Sequence, residues 1–210
     1  MDNIYRNRLD APEVQMQKAK ALWDSSTSFR VRGKAFCILA YRFMNDNLGS
    51  STDLYMRDLW MKENLPEDMT DKFNYRWVTS YLLAMAYVYY GLGRSEYSRK
   101  YLNTLVDCGE IEVMPTTVVN SVGACLALGR HNYALEIYSR ALKSIEFTNE
   151  FQFCDIELAS CLARLSFMLQ NNLRDSKEFK PTLRILSSGK GLMFLKMKDY
   201  LSPVGGYISP

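Results

Sequence analysis

His131 is the only histidine in the chain, so any Ser–His–Asp or Cys–His mechanism would have to run through it. It follows Arg130 in a turn, where a lone imidazole reads as solvated surface. The stretch YYGLGRSEYSRKYL, residues 89–102, sets Gly91, Gly93 and Arg94 close together, as a phosphate-cradling loop would. The stretch SSGKGL, residues 187–192, has a partial P-loop look, but Arg184 stands five before Gly189, where that motif needs glycine. Cys37, Cys108, Cys125, Cys154 and Cys161 form no CxxC pair, and Cys154 and Cys161, seven apart, share a helix face as core residues do. The Glu-x-x-His pairs of di-iron bundles are missing. Paired carboxylates such as Glu110/Glu112 and Asp155/Glu157 have no visible setting for acid–base work. No catalytic residue, metal or cofactor is expected.

Bulk composition agrees with a binding or structural role. Hydrophobic residues make up 48% and charged residues 23% of 210 residues, as in ordinary globular chains. A net charge of +3 is too small to imply nucleic acid by itself. From Asn171 onward seven Lys/Arg face three Asp/Glu, which makes the last forty residues mildly basic. The opening MDNIYRNRLDAPE has no apolar run after its charges, so no secretory leader is expected. WVTSYLLAMAYVYYGLG, residues 77–93, is too short and polar for a membrane span. Five scattered cysteines read as reduced core thiols, and a cytoplasmic setting is expected.

The elements that must position these residues are helical throughout. Asp10 before Ala11, Pro12 and Glu13 opens a helix to about Trp23. Ser28 caps a second, and Gly49 ends it in the left-handed conformation. Asp53 to Asn64 is a third, with Pro66 beyond it. Thr70 caps a long fourth, and Ser95 a fifth that runs to about Cys108. Pro115 and Thr116 open a sixth, Asn132 caps a seventh and Thr148 an eighth. The region Ser176–Tyr200 is broken by Pro181, Gly189 and Gly191. Eight or nine helices in all are expected, and no sheet.

GLGRSEYSRKYLNTL recurs in form as ALGRHNYALEIYSRAL, with Gly93-Arg94 and Gly129-Arg130 thirty-six residues apart. Five residues past each glycine stands a small side chain, Ser98 or Ala134, followed by Leu102 or Tyr138, then Leu105 or Ala141. Small residues at a fixed point let two helices approach closely, and a period of this length marks a helix-turn-helix solenoid. The glycines are helix punctuation.

This pattern resembles the tetratricopeptide repeat. Gly129, Ala134, Tyr138 and Ala141 stand where that family has its turn glycine, small, aromatic and small residues. Tyr89, Gly93 and Ser98 match in the preceding unit, with Leu105 replacing the last alanine. The resemblance, clear over about residues 77–145 with degenerate flanks, implies an all-α fold of antiparallel helix pairs stacked as a short α-solenoid; a helical-repeat domain over residues 1–175 is expected, followed by a C-terminal helix and extended docking arm over 176–210. It also implies protein binding, along a concave face made here by Trp77–Tyr90 and Thr116–Leu128. Those segments contain no Lys, Arg, Asp or Glu, so they read either as buried helices or as an apolar peptide groove lined by Leu83, Tyr87, Tyr90, Val119 and Asn120.

The end of the chain, with Leu192, Phe194 and Tyr200 among lysines, is expected to dock on a protein partner, in a larger assembly or homo-oligomer. Fourteen Tyr and eleven Met suit contact surfaces. The expected function is a non-enzymatic scaffold, adaptor or structural subunit. Two alternatives are a chaperone holding an export substrate in the groove, and a nucleic-acid module using FRVRGKAF, residues 29–36, to stack bases.

Overall fold

The computed structural model describes residues 10–108, 114–144 and 150–201, leaving out the side chains of 144, 150–154 and 199–201. Thr148, Gly109, the Glu110/Glu112 pair and the segment 202–210 lie outside the described residues. Among those residues there is no strand. Ten helices are described: α1 Pro12–Asp24, α2 Phe29–Asp46, α3 Ser51–Glu63, α4 Lys72–Gly91, α5 Ser95–Asp107, α6 Pro115–Leu128, α7 His131–Ser144, α8 Glu150–Gln170, α9 Phe179–Leu186 and α10 Gly189–Leu201. The fold is all-α, as expected, with one helix more. The extra one arises because Pro181 falls in the first turn of α9, where its missing N–H costs nothing, and Gly189 starts a separate helix.

Local chemistry accounts for the starts, although several caps shift by a residue. Ser50 Oγ accepts from the Asp53 N–H at 3.1 Å and starts α3 at Ser51, two residues before the expected Asp53. At α4 the cap is Asp71, whose carboxylate accepts from the N–H groups of Phe73 at 2.7 Å and Asn74 at 3.1 Å. Thr70, the expected cap, donates its hydroxyl to Asp68 instead. Asp10 pairs with Lys18 and leaves Ala11 at the head of α1. Asn47, not Gly49, takes the left-handed position directly after α2.

The two Gly-Arg corners are built alike. Gly93 and Gly129 have φ of 71° and 75°, a region costly for any side chain with a Cβ. The Gly93 N–H donates to Tyr90 O and the Arg94 N–H to Tyr89 O; Gly129 donates to Leu126 O and Arg130 to Cys125 O. This double closure satisfies carbonyls that a helix end leaves without partners. Leu92 to Arg94 is too short a link for α4 and α5 to pack except antiparallel. Ser98 and Ala134 are both fully buried, and Ser98 Oγ donates to Ala86 O of α4 at 2.7 Å, the close approach that a small residue permits. Asn172, with φ of 55°, closes α8 similarly, and Leu173 N–H donates to Met168 O.

Helices α2, α4, α6 and α8 pack in succession as one layer, with α3, α5, α7 and α9 on them as a second. The contacts α5 to α6 and α7 to α8 tie the layers across each step, whereas α3 and α4 are not closely packed. Helices α4, beyond Arg76, and α6 are buried along most of their length, as the absence of charge in residues 77–90 and 116–128 requires.

Helix α10 lies along α6 and reaches α4. Phe194 is fully buried against Gly123, where an added Cβ would stand 2.3 Å from the ring. Leu186, Met193, Leu195 and Met197 belong to the same continuous core. The expected extended arm falls in 202–210, outside the described residues, and the described part of 176–210, which includes the expected C-terminal helix, is therefore packed into the body. The reason is shape: Gly123 opens a slot on α6 that takes the ring from the chain's own C-terminal helix.

Burial also fixes how the chain responds to alkali. The Cys37 and Cys125 thiols are pushed up to about 12 by desolvation. Burial likewise raises the Tyr41, Tyr81 and Tyr101 phenols above their ordinary value. Each group stays neutral in the folded chain after its unfolded counterpart, with a pKa of 9.0 for Cys or 10.0 for Tyr, has begun to ionise. Stability is therefore fully present below about pH 9 and lost as pH rises from there, by up to ~1.4 kcal/mol per pH unit per group. Urea midpoints should agree at pH 7 and pH 8 and drop clearly by about pH 10.5. A flat profile would contradict the burial of these groups.

Candidate functional site

Where α3 leans away from α4, a cleft of about 710 Å³ opens, walled by α3 and α5 and floored by α4. Its size is that of an ordinary ligand or peptide-anchor site. Leu54, Tyr55, Leu59 and Lys62 come from α3, Leu82, Met85, Val88 and Tyr89 from α4, and Tyr97, Lys100 and Tyr101 from α5, with Arg94 at the corner.

One buried carboxylate holds the cleft in shape. Leu54, Asp58 and Met61 follow one another on the buried face of α3, so Asp58 points inward and is fully buried. A charge there needs partners. Tyr81 donates to Oδ1 at 2.6 Å, Tyr101 donates to Oδ1 at 2.7 Å, and Lys62 Nζ lies 2.7 Å from Oδ2. Three helices are thereby tied at one point. Desolvation first, then the negative charge of Asp58, holds the Tyr81 phenol far above its usual range. For Tyr101 desolvation again leads, followed by Tyr81 and then Asp58. Both hydroxyls are kept as donors.

Outside this buried knot the walls are aromatic and half open. Tyr89 stacks on Tyr97 with ring centroids 5.2 Å apart and touches Tyr101 at 5.5 Å. Lys62 also lies over the Tyr101 ring, 5.1 Å from its centroid. Of the eleven exposed large apolar side chains among the described residues, four line this cleft: Tyr55, Leu65, Leu92 and Tyr97. Tyr55 is 51% and Tyr97 52% exposed, an unusual investment of aromatic surface in water.

The residues expected to line a concave groove lie elsewhere. Leu83, Val119 and Asn120 are buried, and Tyr87 is 6% exposed. Tyr90 is half-buried and stacks parallel to Tyr87 at 6.2 Å. Phe194 is buried and Leu192 half-buried in α10, and the side chain of Tyr200 lies outside the described residues. Of the expected groove and docking residues, Leu83, Tyr87, Val119 and Phe194 share one core, and Phe194 fills the slot at Gly123, one turn from Val119 and Asn120. Of the two readings of these helices, buried or groove-lining, the described residues fit the buried one, with α10 packed on α6.

A few polar groups are trapped beneath α10. Asn120 Nδ2 donates to Thr79 Oγ1 at 3.3 Å, while its Oδ1 is buried without a partner. Lys190, the lysine of SSGKGL, is half-buried; desolvation lowers its pKa, opposed by Asp155. It faces Cys37 and Arg76 inside the fold and does not crown a phosphate loop.

The remaining candidates are also placed. In FRVRGKAF, Arg30 pairs with Asp71 at 2.7 Å, and the Arg32 guanidinium lies over Trp60, 4.2 Å from its centroid. Phe36 is fully buried, so these side chains serve the fold. His131 is half-buried, and desolvation first, then Lys198, lowers its pKa. Among the described residues no group of three His, Cys, Asp or Glu can hold a metal ion, and no helix is long and apolar enough to cross a membrane.

Sequence reasoning passed over Asp58, Tyr97 and Tyr101. The available signal was an aspartate in phase with Leu54 and Met61, an acid on an apolar stripe. Compared with protein-family models, with curated proteins and with solved structures, the chain finds no significant match.

Proposed function

We propose that the chain is a non-catalytic protein-interaction scaffold of tetratricopeptide-like helix pairs, and that the cleft between α3 and α5 is its contact surface. The observation that carries this reading is the half-exposed tyrosine wall over an apolar floor, held open by the Asp58 knot. Tyrosine supplies large contact area at low entropy cost and tolerates water when unbound. Binding would bury Tyr55 and Tyr97 against a partner's apolar side chains, with no reorganisation of the knot beneath. Helix α10 packs on α6 and reaches α4, the helices that a chaperone-type groove would use.

Affinity capture from native lysate tests this. The double variant Tyr55→Ser/Tyr97→Ser removes two rings that stand half in water, so its melting temperature should stay within a few degrees of the parent. Proteins retained by the parent should be lost from the variant. Capture of the same proteins by both would place the contact surface elsewhere.

A further inference from the structure

We infer that the occupant of the α3/α5 cleft is a short acidic amphipathic helix, anchored by apolar side chains and flanked by carboxylates. This rests on the reading of the cleft as the contact surface and adds the chemistry of what enters it. The lining holds three cations, Lys62, Arg94 and Lys100, and no Asp or Glu. The whole chain, by contrast, is nearly balanced, with 26 Lys/Arg against 23 Asp/Glu. The carboxylate beneath the lining, Asp58, is fully buried behind Tyr81 and Tyr101 and is committed to them and to Lys62.

Arg94 and Lys100 are both exposed, and among the described residues neither has an ion-pair partner. The charged side chains that line the cleft are therefore of one sign, above an apolar floor of Leu82, Met85 and Val88. A partner with the complementary pattern gains steering and register from the rim and affinity from the floor. Arg94 and Thr104 mark the cleft's extent on α5, ten residues apart, which is about 15 Å along a helix axis. That length accepts two to three turns of a partner helix. A nucleic acid fits less well: two unpaired cations make a poor phosphate track, and the floor is aliphatic.

The test uses the full chain and a displayed library of random peptides of about 16 residues, long enough to span the cleft as a helix. Selection on the parent should enrich peptides that combine Asp/Glu with Leu, Phe or Ile at helical spacing. The variant Arg94→Glu/Lys100→Glu, both surface positions, should bind those peptides about tenfold more weakly. Selection on that variant should enrich Lys/Arg peptides instead. Enriched peptides with no charge bias, but lost on Tyr97→Ser, would overturn the acidic occupant and keep the cleft as the site. Enriched peptides indifferent to both Tyr97→Ser and the charge reversal would overturn the cleft itself. Tighter binding of a single-stranded oligonucleotide than of any selected peptide, with loss on the charge reversal, would overturn the peptide in favour of nucleic acid.

Discussion

Replacing Asp58 with Ala is expected to cost about 3–5 kcal/mol of stability, the usual penalty when one member of a buried charged network is removed. Two phenol hydroxyls, at Tyr81 and Tyr101, would lose their acceptor in a place that water does not reach. Each such orphan costs about 1–3 kcal/mol, and the lost packing of α3 adds to it. Asp58→Asn keeps one oxygen acceptor and should cost less than Ala. Lys62, at 46% exposed, can turn to water in either variant and adds little. The informative comparison is Asp58→Leu/Tyr81→Phe/Tyr101→Phe, in which donors and acceptor vanish together. It should recover most of the loss while leaving the cleft without its polar hinge. Chemical denaturation of the four proteins checks this. Equal stability of Asp58→Ala and the parent would show that the carboxylate is not buried.

Phe194→Ala should be comparably damaging, by about 3–5 kcal/mol, or roughly 10 °C in Tm for a chain of this size. The ring is fully buried on α6, and its removal leaves a slot that helices tied at both ends cannot close. The complementary change, Gly123→Ala, inserts a methyl 2.3 Å from the ring and should cost about 1–3 kcal/mol. Joining Gly123→Ala to Phe194→Leu should be less harmful than the sum of the two, since the smaller side chain makes room for the methyl. A free C-terminal arm would behave otherwise: Phe194→Ala would then stay within about 0.5 kcal/mol of the parent, like other surface changes.

These two results bear on what a sequence displays and what it hides. The Gly-Arg corners were legible because a left-handed residue after a helix is a local demand, and Gly93 and Gly129 meet it in the same way. The burial of 77–90 in α4 and 116–128 in α6 was equally legible, since a helical stretch without charge on any side must be covered. What covers them was not. The apolar residues of α10 do not gather on one face; Leu192 to Met197 are apolar nearly all round with Lys196 among them. Such a helix suits a partner's groove as well as its own. The choice is made by the missing Cβ at Gly123, far away in the chain. Asp58 was hidden for a related reason: its two tyrosine partners stand 23 and 43 residues further on, with nothing local to announce them. The caps at Asp71 and Ser50 were missed by small margins, because neighbouring Asp, Ser and Thr compete for the same N–H groups.

The placement of the contact surface is tested most directly by site-specific photocrosslinking in native lysate. A photoreactive side chain would replace Tyr97 in the cleft, Tyr90 beside Tyr87 on α4, or the exposed Glu157 on α8. Crosslinked protein should form from position 97 and not from 90 or 157. Crosslinking from position 90 with none from 97 would contradict the account, showing that partners bind on the expected groove side, at Tyr87 and Tyr90, and not in the cleft.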